Sequence, residues 1–327
     1  IMRRILRKIA CNELENMGTN SAANVDRTLP NPQKDKNASV LGKVVVTPGG
    51  GQRHVFTLEH VDKTADYELL SARSKAPLTS TSVLGSTSFT DMQRSRATWE
   101  GNWRVNTAWA DDVKAVLSYQ DAHSREYITE DRNTAADRVR DVTYDERTWQ
   151  ANLQGSKVLR NGSRWVQKIT YGLDYTAAKV ENLQTGVTPP TGETFPLKRF
   201  PDTTETSTAL YVQDEFVSGP WSITPGVRFD TFRIKADQAG FGAQAVSLSG
   251  NATSPKFGVL YRATDQWSVF GNYAAGFRAP NAGQVNAFFE NPVGNYRTVP
   301  NANLKPEKSQ NFELGVRGRM ERLSIEA

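Results

Sequence analysis

Trp221-Ser222-Ile223-Thr224-Pro225-Gly226-Val227-Arg228-Phe229-Asp230 sets bulky apolar side chains at 221, 223, 227 and 229 against polar ones at 222, 224, 228 and 230. Successive side chains of an extended strand point to opposite faces, so this period of two gives one apolar and one polar face. The pattern recurs on both sides. Trp99, Gly101, Trp103 and Val105 alternate with Thr98, Glu100, Asn102 and Arg104, and Trp165, Ile169, Tyr171, Leu173 and Tyr175 with Lys168, Thr170, Gly172 and Asp174. Phe257, Val259 and Tyr261 alternate with Lys256, Gly258 and Arg262, and Phe312, Leu314 and Val316 with Glu313, Gly315 and Arg317. Helical spacing is weak and confined to Met2–Leu14, where a short helix within a loop is expected.

Strands are therefore predicted near 38–48, 52–67, 92–108, 112–128, 138–160, 164–182, 204–218, 221–236, 253–263, 267–277 and 307–319, with a twelfth opening near 322. Short connections sit at Pro48 to Gly51, Trp109 to Asp111, Arg160 to Gly162, Ser218 to Pro220, Thr264-Asp265 and Met320-Glu321. Long ones, at 68–91, 129–137, 183–203, 237–252 and 278–306, alternate with them. Tight turns at one end and long loops at the other are the layout of an outer-membrane β-barrel, with periplasmic turns and extracellular loops. The expected fold is all-β, an antiparallel transmembrane β-barrel segment over 38–327, with 1–37 as an extracellular loop region. Trp and Tyr near strand ends suit an interfacial girdle, and the charged face suits a wet lumen rather than a dry sandwich core. Eleven strands and a fragment do not close a barrel, and a spanning sheet leaves no open edge in lipid. The chain opens on Ile1 with no leader pattern, so it reads as an internal piece of a longer protein.

Composition agrees. With 327 residues, 40 Lys+Arg, 35 Asp+Glu and a net charge of +5, no stretch approaches a spanning helix, and the longest uncharged run, Ala239 to Pro255, is rich in Gly, Ser and Asn. The small, scattered charge excess does not indicate a nucleic-acid surface. The single Cys11 rules out a disulfide framework and a CxxC site. Metal binding by His would need His54, His60 and His123 to converge. There is no GxSxG, HExxH, P-loop or dinucleotide fingerprint, so no enzyme is expected. Asp141, Asp145 and Glu146 beside Arg residues read as lumen or loop charges.

The connection 278–306 is the most individual segment. Phe277-Arg278-Ala279-Pro280 directly follows a strand, and Asn301-Ala302-Asn303-Leu304 precedes Lys305-Pro306-Glu307 at the start of the next. Here the sequence resembles the TonB-dependent outer-membrane receptors, and within them the haem and haemoprotein receptors. Phe277–Pro280 matches that family's FRAP box in every letter. Asn301–Leu304 matches its NPNL box in three of four positions, with Ala302 where Pro is usual. Arg27-Thr28-Leu29-Pro30-Asn31-Pro32-Gln33 also looks like a segment of the family. The resemblance implies a barrel of about 22 strands closed by an N-terminal plug, which this chain lacks along with roughly half the strands. It also implies haem taken from outside as a transported ligand, energy from the TonB–ExbB–ExbD complex, and outer-membrane lipid as surroundings, with no permanently bound cofactor.

Many family members carry a haem-ligating His between the two boxes, but residues 281–300 contain none. Haem iron accepts His, Tyr, Met or Cys ligands, and among these the loop offers only Tyr296. Two readings stay open. Its phenolate ligates ferric iron, favoured by the charge of Arg297 or Arg278, or it is an aromatic residue packed on the barrel lip. Phe288 and Phe289 either stack on a porphyrin or fill a loop core. Arg278, Arg297 and Lys305 either pair with haem propionates or are surface charges. His54 and His60 share a lipid-directed face with Phe56 and Leu58, and His123 matches outward Leu117 and Tyr119 near the extracellular end. The expected function is haem uptake. The alternatives are a ferric-siderophore receptor, which the missing His favours, a passive porin, and a soluble β-rich binding protein.

Overall fold

The computed structural model describes residues 30–160, 164–320 and 324–326. In chain order the strands are β1 (Gln33–Gly49), β2 (Gln52–Glu68), β3 (Val83–Arg104), β4 (Asp112–Arg132), β5 (Arg138–Leu159), β6 (Val166–Val187), β7 (Thr203–Ser218), β8 (Trp221–Ala236), β9 (Leu248–Arg262) and β10 (Trp267–Arg278). A short helix α1 (Ala282–Asn286) and a small hairpin, β11 (Phe289–Asn291) with β12 (Tyr296–Thr298), precede β13 (Glu307–Arg319) and β14 (Ser324–Glu326). Twelve strands form one sheet in the order β1 to β10, then β13 and β14, and each pairs antiparallel with its neighbours. The expected helix near Met2–Leu14 and the turn at Asn161-Gly162 lie outside the described residues. The first tight turn runs through Gly49, Gly50 and Gly51, whose φ angles of 98°, 60° and 75° are costly for any residue with a Cβ.

Register assigns the two faces. Val113, Gly155, Tyr171, Val212 and Val227 lie in one row across β4 to β8, and Leu153, Leu173, Leu210 and Phe229 in the next. Leu153, Leu173, Leu210 and Phe229 are all exposed, as a lipid-facing wall requires. Trp221 packs on Tyr261 with centroids 4.5 Å apart near the short turns, while Tyr119–Trp149 at 4.7 Å and Tyr273–Phe312 at 4.9 Å lie toward the loop end. These pairs mark the two rims of the apolar band. The opposite face is polar: Asn152, Asp174 and Asp230 gather around Arg228, and Lys114 reaches Glu100 at 3.1 Å.

Several strands outrun the sequence expectation. β1 begins at Gln33, inside the expected loop 1–37, and β3 at Val83 rather than 92. β4 and β6 continue to Arg132 and Val187, so the loop-end connections shrink to 69–82, 133–137, 188–202 and 237–247. β3, β5 and β6 have 22 residues each, against the roughly 9–11 needed to cross a bilayer. Beyond the Tyr119–Trp149 level the outward face of β4 and β5 turns polar, with Asp121, His123, Arg125, Thr143, Asp145 and Arg147, so the apolar alternation fades while the ladder goes on. Asp141 and Asp145 belong to this outer stretch. Their register puts them on the outward face, not in the lumen or a loop, where Arg125 donates to Asp141 at 2.6 and 2.7 Å and His123 Nδ1 lies 2.7 Å from Asp145. Glu146, one residue on, faces the lumen as expected, its carboxylate accepting from Thr148 at 2.9 Å.

Candidate functional site

Most of the deep burial lies where three loops fold over the lumen. Ala178, Val180, Phe232, Ile234 and Ala252 are buried on the lumen face at the loop ends of β6, β8 and β9, and Phe241, Ala282 and Val285 are buried in the loops themselves. The connection 188–202 is tied to β6: Gln184 and Leu197 exchange backbone bonds of 2.8 Å, and buried Asn182 accepts from Arg199 N at 2.8 Å and donates to Phe200 O at 2.7 Å. The connection 237–247 is tied to α1, since Asn286 donates to Val246 O at 2.8 Å and accepts from Val246 N at 2.7 Å.

The loop 279–306 is the third. Asn281 and Gln284 form a capping box, each side chain accepting from the other's backbone N–H at 2.9 and 3.1 Å. This satisfies two first-turn amides and starts α1 directly after Pro280. Ala282 N donates to the Glu205 carboxylate of β7 at 2.5 Å, and Phe288 N to Arg199 O at 2.8 Å. Glu205 lies above the apolar rim, between Ala178 and Ile234 in register, and this apolar burial pushes its pKa up. Tyr144, also lumenal and above the rim, is raised to about 12 by burial and by the neighbouring Glu146 carboxylate.

The two sequence boxes stand at the feet of this loop. Arg278 at the end of β10 faces Glu307 at the start of β13 in register, 3.6 Å apart, with both side chains well exposed. Pro280 is buried; Phe277 and Ala279 are half-buried; Asn301, Asn303 and Lys305 are exposed and Leu304 half-buried. Asn301 N donates to Val285 O at 2.8 Å, which brings the second box back onto the helix that follows the first.

The proposed haem contacts separate. Tyr296 and Phe289 stand together across the hairpin with centroids 5.7 Å apart, and the Arg199 guanidinium lies 5.0 Å from the Phe289 ring. Phe288 instead turns to Phe241 at 6.1 Å. Arg297 pairs with Glu290 in register, so it points to the face of the hairpin opposite Tyr296. Tyr296 is 56% exposed. Arg199 had no sequence signal, since it is a lone Arg in a loop. The three His residues do not converge: His54 lies against Trp99 and Trp103, His60 beside Ser95 and His123 beside Asp145. Among the described residues no cluster of His, Cys, Asp and Glu is suited to a metal ion.

Comparison with known proteins adds a lineage. A family model described as TonB dependent receptor-like, beta-barrel matches residues 43–327. A protein of Yersinia enterocolitica named hemin receptor is 31% identical over 156 residues, covering 45% of this chain and 20% of its own. A hemin receptor of Yersinia pestis is 31% identical over 115 residues, covering 32% and 16%. The chain thus spans a fifth or less of these relatives. The unliganded ferric citrate transporter FecA shares the fold with a TM-score of 0.64 at 17% identity, over 90% of this chain and 42% of that one. The Serratia marcescens hemophore receptor HasR, in complex with its hemophore HasA and heme, does so with 0.62 at 16%, over 91% and 44%. A copper transporter, OprC, reaches 0.61 at 14%, over 92% and 44%. One wall thus serves different cargoes, and the fold alone does not choose among them.

Proposed function

The chain belongs to the TonB-dependent receptor-like β-barrel family of outer-membrane transport receptors, and from that premise we propose that it forms part of a receptor that takes up haem, free or carried by a haemoprotein, as an iron source. The observation that carries this reading is the pair of boxes, Phe277–Pro280 and Asn301–Leu304, at the two feet of one folded-in extracellular loop. The relatives named hemin receptors support the same cargo. The loop offers flat aromatic surface at Phe288 and Phe289, a phenol at Tyr296, and cations at Arg278, Arg297 and Lys305 for propionates. In this reading Tyr296 ligates the ferric iron and transport draws on the TonB–ExbB–ExbD complex through a plug outside this chain. No bond of the cargo is made or broken.

The test is a haemin titration of the complete receptor in detergent. A saturable shift of the haem absorption with a tyrosinate charge-transfer band is expected, and Tyr296→Phe removes that band and weakens binding about tenfold or more, the loss of one charged contact. An unchanged spectrum and affinity in the variant rejects the ligand role. No saturable haemin binding in the parent receptor rejects haem altogether and returns a ferric siderophore as the cargo, the reading that the absence of His from 281–300 favours.

A further inference from the structure

We infer that Glu205 is the catch that holds the 279–306 loop, and with it the hairpin bearing Phe289 and Tyr296, folded into the mouth of the barrel. Two groups meet here that are each costly alone. The first-turn amides of a helix have no intrahelical acceptor, and Ala282, at the start of α1, is only 2% exposed. A carboxylate set among apolar residues must have its oxygens bonded or lose its hydration without return. Glu205 is such a group: Ala178, 9% exposed, and Ile234, 2% exposed, flank it in register. Ala282 N donates to Glu205 Oε1 at 2.5 Å across a sequence separation of 77. The bond is charge-assisted, so it is among the stronger kinds. It fixes the helix to β7, whereas the other ties of the loop run to its neighbours: Asn286 to Val246 and Phe288 to Arg199.

Glu205 is thus a positioning residue for whatever the loop binds. It touches no cargo in this reading, and the inference stands whichever ligand the receptor carries. It also names a reason for Glu at this position. Asp is one methylene shorter and falls short of Ala282, while Gln keeps an oxygen acceptor in the same place.

The test needs no ligand. Amide hydrogen exchange is followed in the complete receptor in detergent, for the wild type and for Glu205→Gln, Glu205→Asp and Glu205→Ala. In Glu205→Ala the amides of 282–288 should exchange about ten- to a hundredfold faster, the range set by a hydrogen bond to a charged group. Glu205→Asp should approach Glu205→Ala, and Glu205→Gln, which keeps a neutral acceptor, should fall between Glu205→Ala and the wild type, while β6 to β8 stay as protected as in the wild type. Unchanged exchange at 282–288 in Glu205→Ala would overturn the inference. So would equal loosening of β6 to β8, because Glu205 would then be supporting the wall rather than the loop.

Discussion

Gly155 has no side chain where Tyr171, directly opposite in register, lays its ring. A Cβ at 155 would meet the Tyr171 ring at 2.8 Å. The same pairing recurs at Gly172 with Tyr211, Gly250 with Phe232 and Gly318 with Trp267, each a cross-strand partner whose ring covers the bare backbone. Such aromatic cover restores the packing that glycine forfeits and pins the register. Gly155→Ala should destabilise the complete receptor by about 1–3 kcal/mol, the cost of overpacking, read as an earlier urea midpoint; an unmoved midpoint would show that the ring swings aside freely. Tyr144 makes a second prediction at this scale. Its folded-state pKa, pushed up to about 12, lies above the ordinary 10, so the folded protein keeps a proton that the unfolded chain loses. The contribution is fully present below pH 10 and is lost as the pH rises toward about 12. In an ultraviolet titration of tyrosinate, Tyr144→Phe should remove a late-titrating phenol, and an unaltered upper limb would contradict the placement beside Glu146.

Strand faces decide what a substitution costs at the element scale. Leu173 and Thr170 share β6, but Leu173 is on the lipid face and Thr170, of opposite parity, on the lumen face. Leu173→Arg should cost about 2–4 kcal/mol in the bilayer midplane, and Thr170→Arg far less, measured by unfolding in lipid vesicles. Equal costs would mean that the faces are assigned the wrong way round. These faces were legible from Trp165 to Tyr175 alone, because a lipid wall and a wet lumen impose a strict period of two. The outer halves of β3, β5 and β6 were not. Ser86 and Ser88 are polar yet buried on the lumen side, and Asp141 and Asp145 stand on the outward face, so polar residues occupy both sides and only cross-strand register reveals that the strand continues. The loop knit was equally illegible. Asn182 and Asn286 look like ordinary loop-edge asparagines, yet each is buried and bonded twice to backbone of another connection. Asn182→Ala strands the Arg199 amide and the Phe200 carbonyl, so limited proteolysis of the complete receptor should cut within 188–202 faster than in the parent. Equal cutting would show that the Gln184–Leu197 bridge alone holds that loop.

Among the described residues, twelve strands form one wall with β1 and β14 at its edges. Lipid tolerates no open sheet edge, so β1 and β14 each need a partner strand in the membrane. The two boxes were readable as letters, and the structure adds what letters do not carry: Arg278 of the first pairs with Glu307 just beyond the second, and Asn301 of the second bonds Val285 just beyond the first. The separation of Phe288 from Phe289, and of Tyr296 from Arg297, follows from hairpin pairing that no motif encodes. The central claim, uptake of haem, is tested most directly by growth. An iron-starved host lacking its own haem receptors receives the complete receptor gene, with haemin as the sole iron source and a ferric siderophore in parallel. The account predicts growth on haemin that disappears when TonB is deleted. Growth on the siderophore with none on haemin would contradict it.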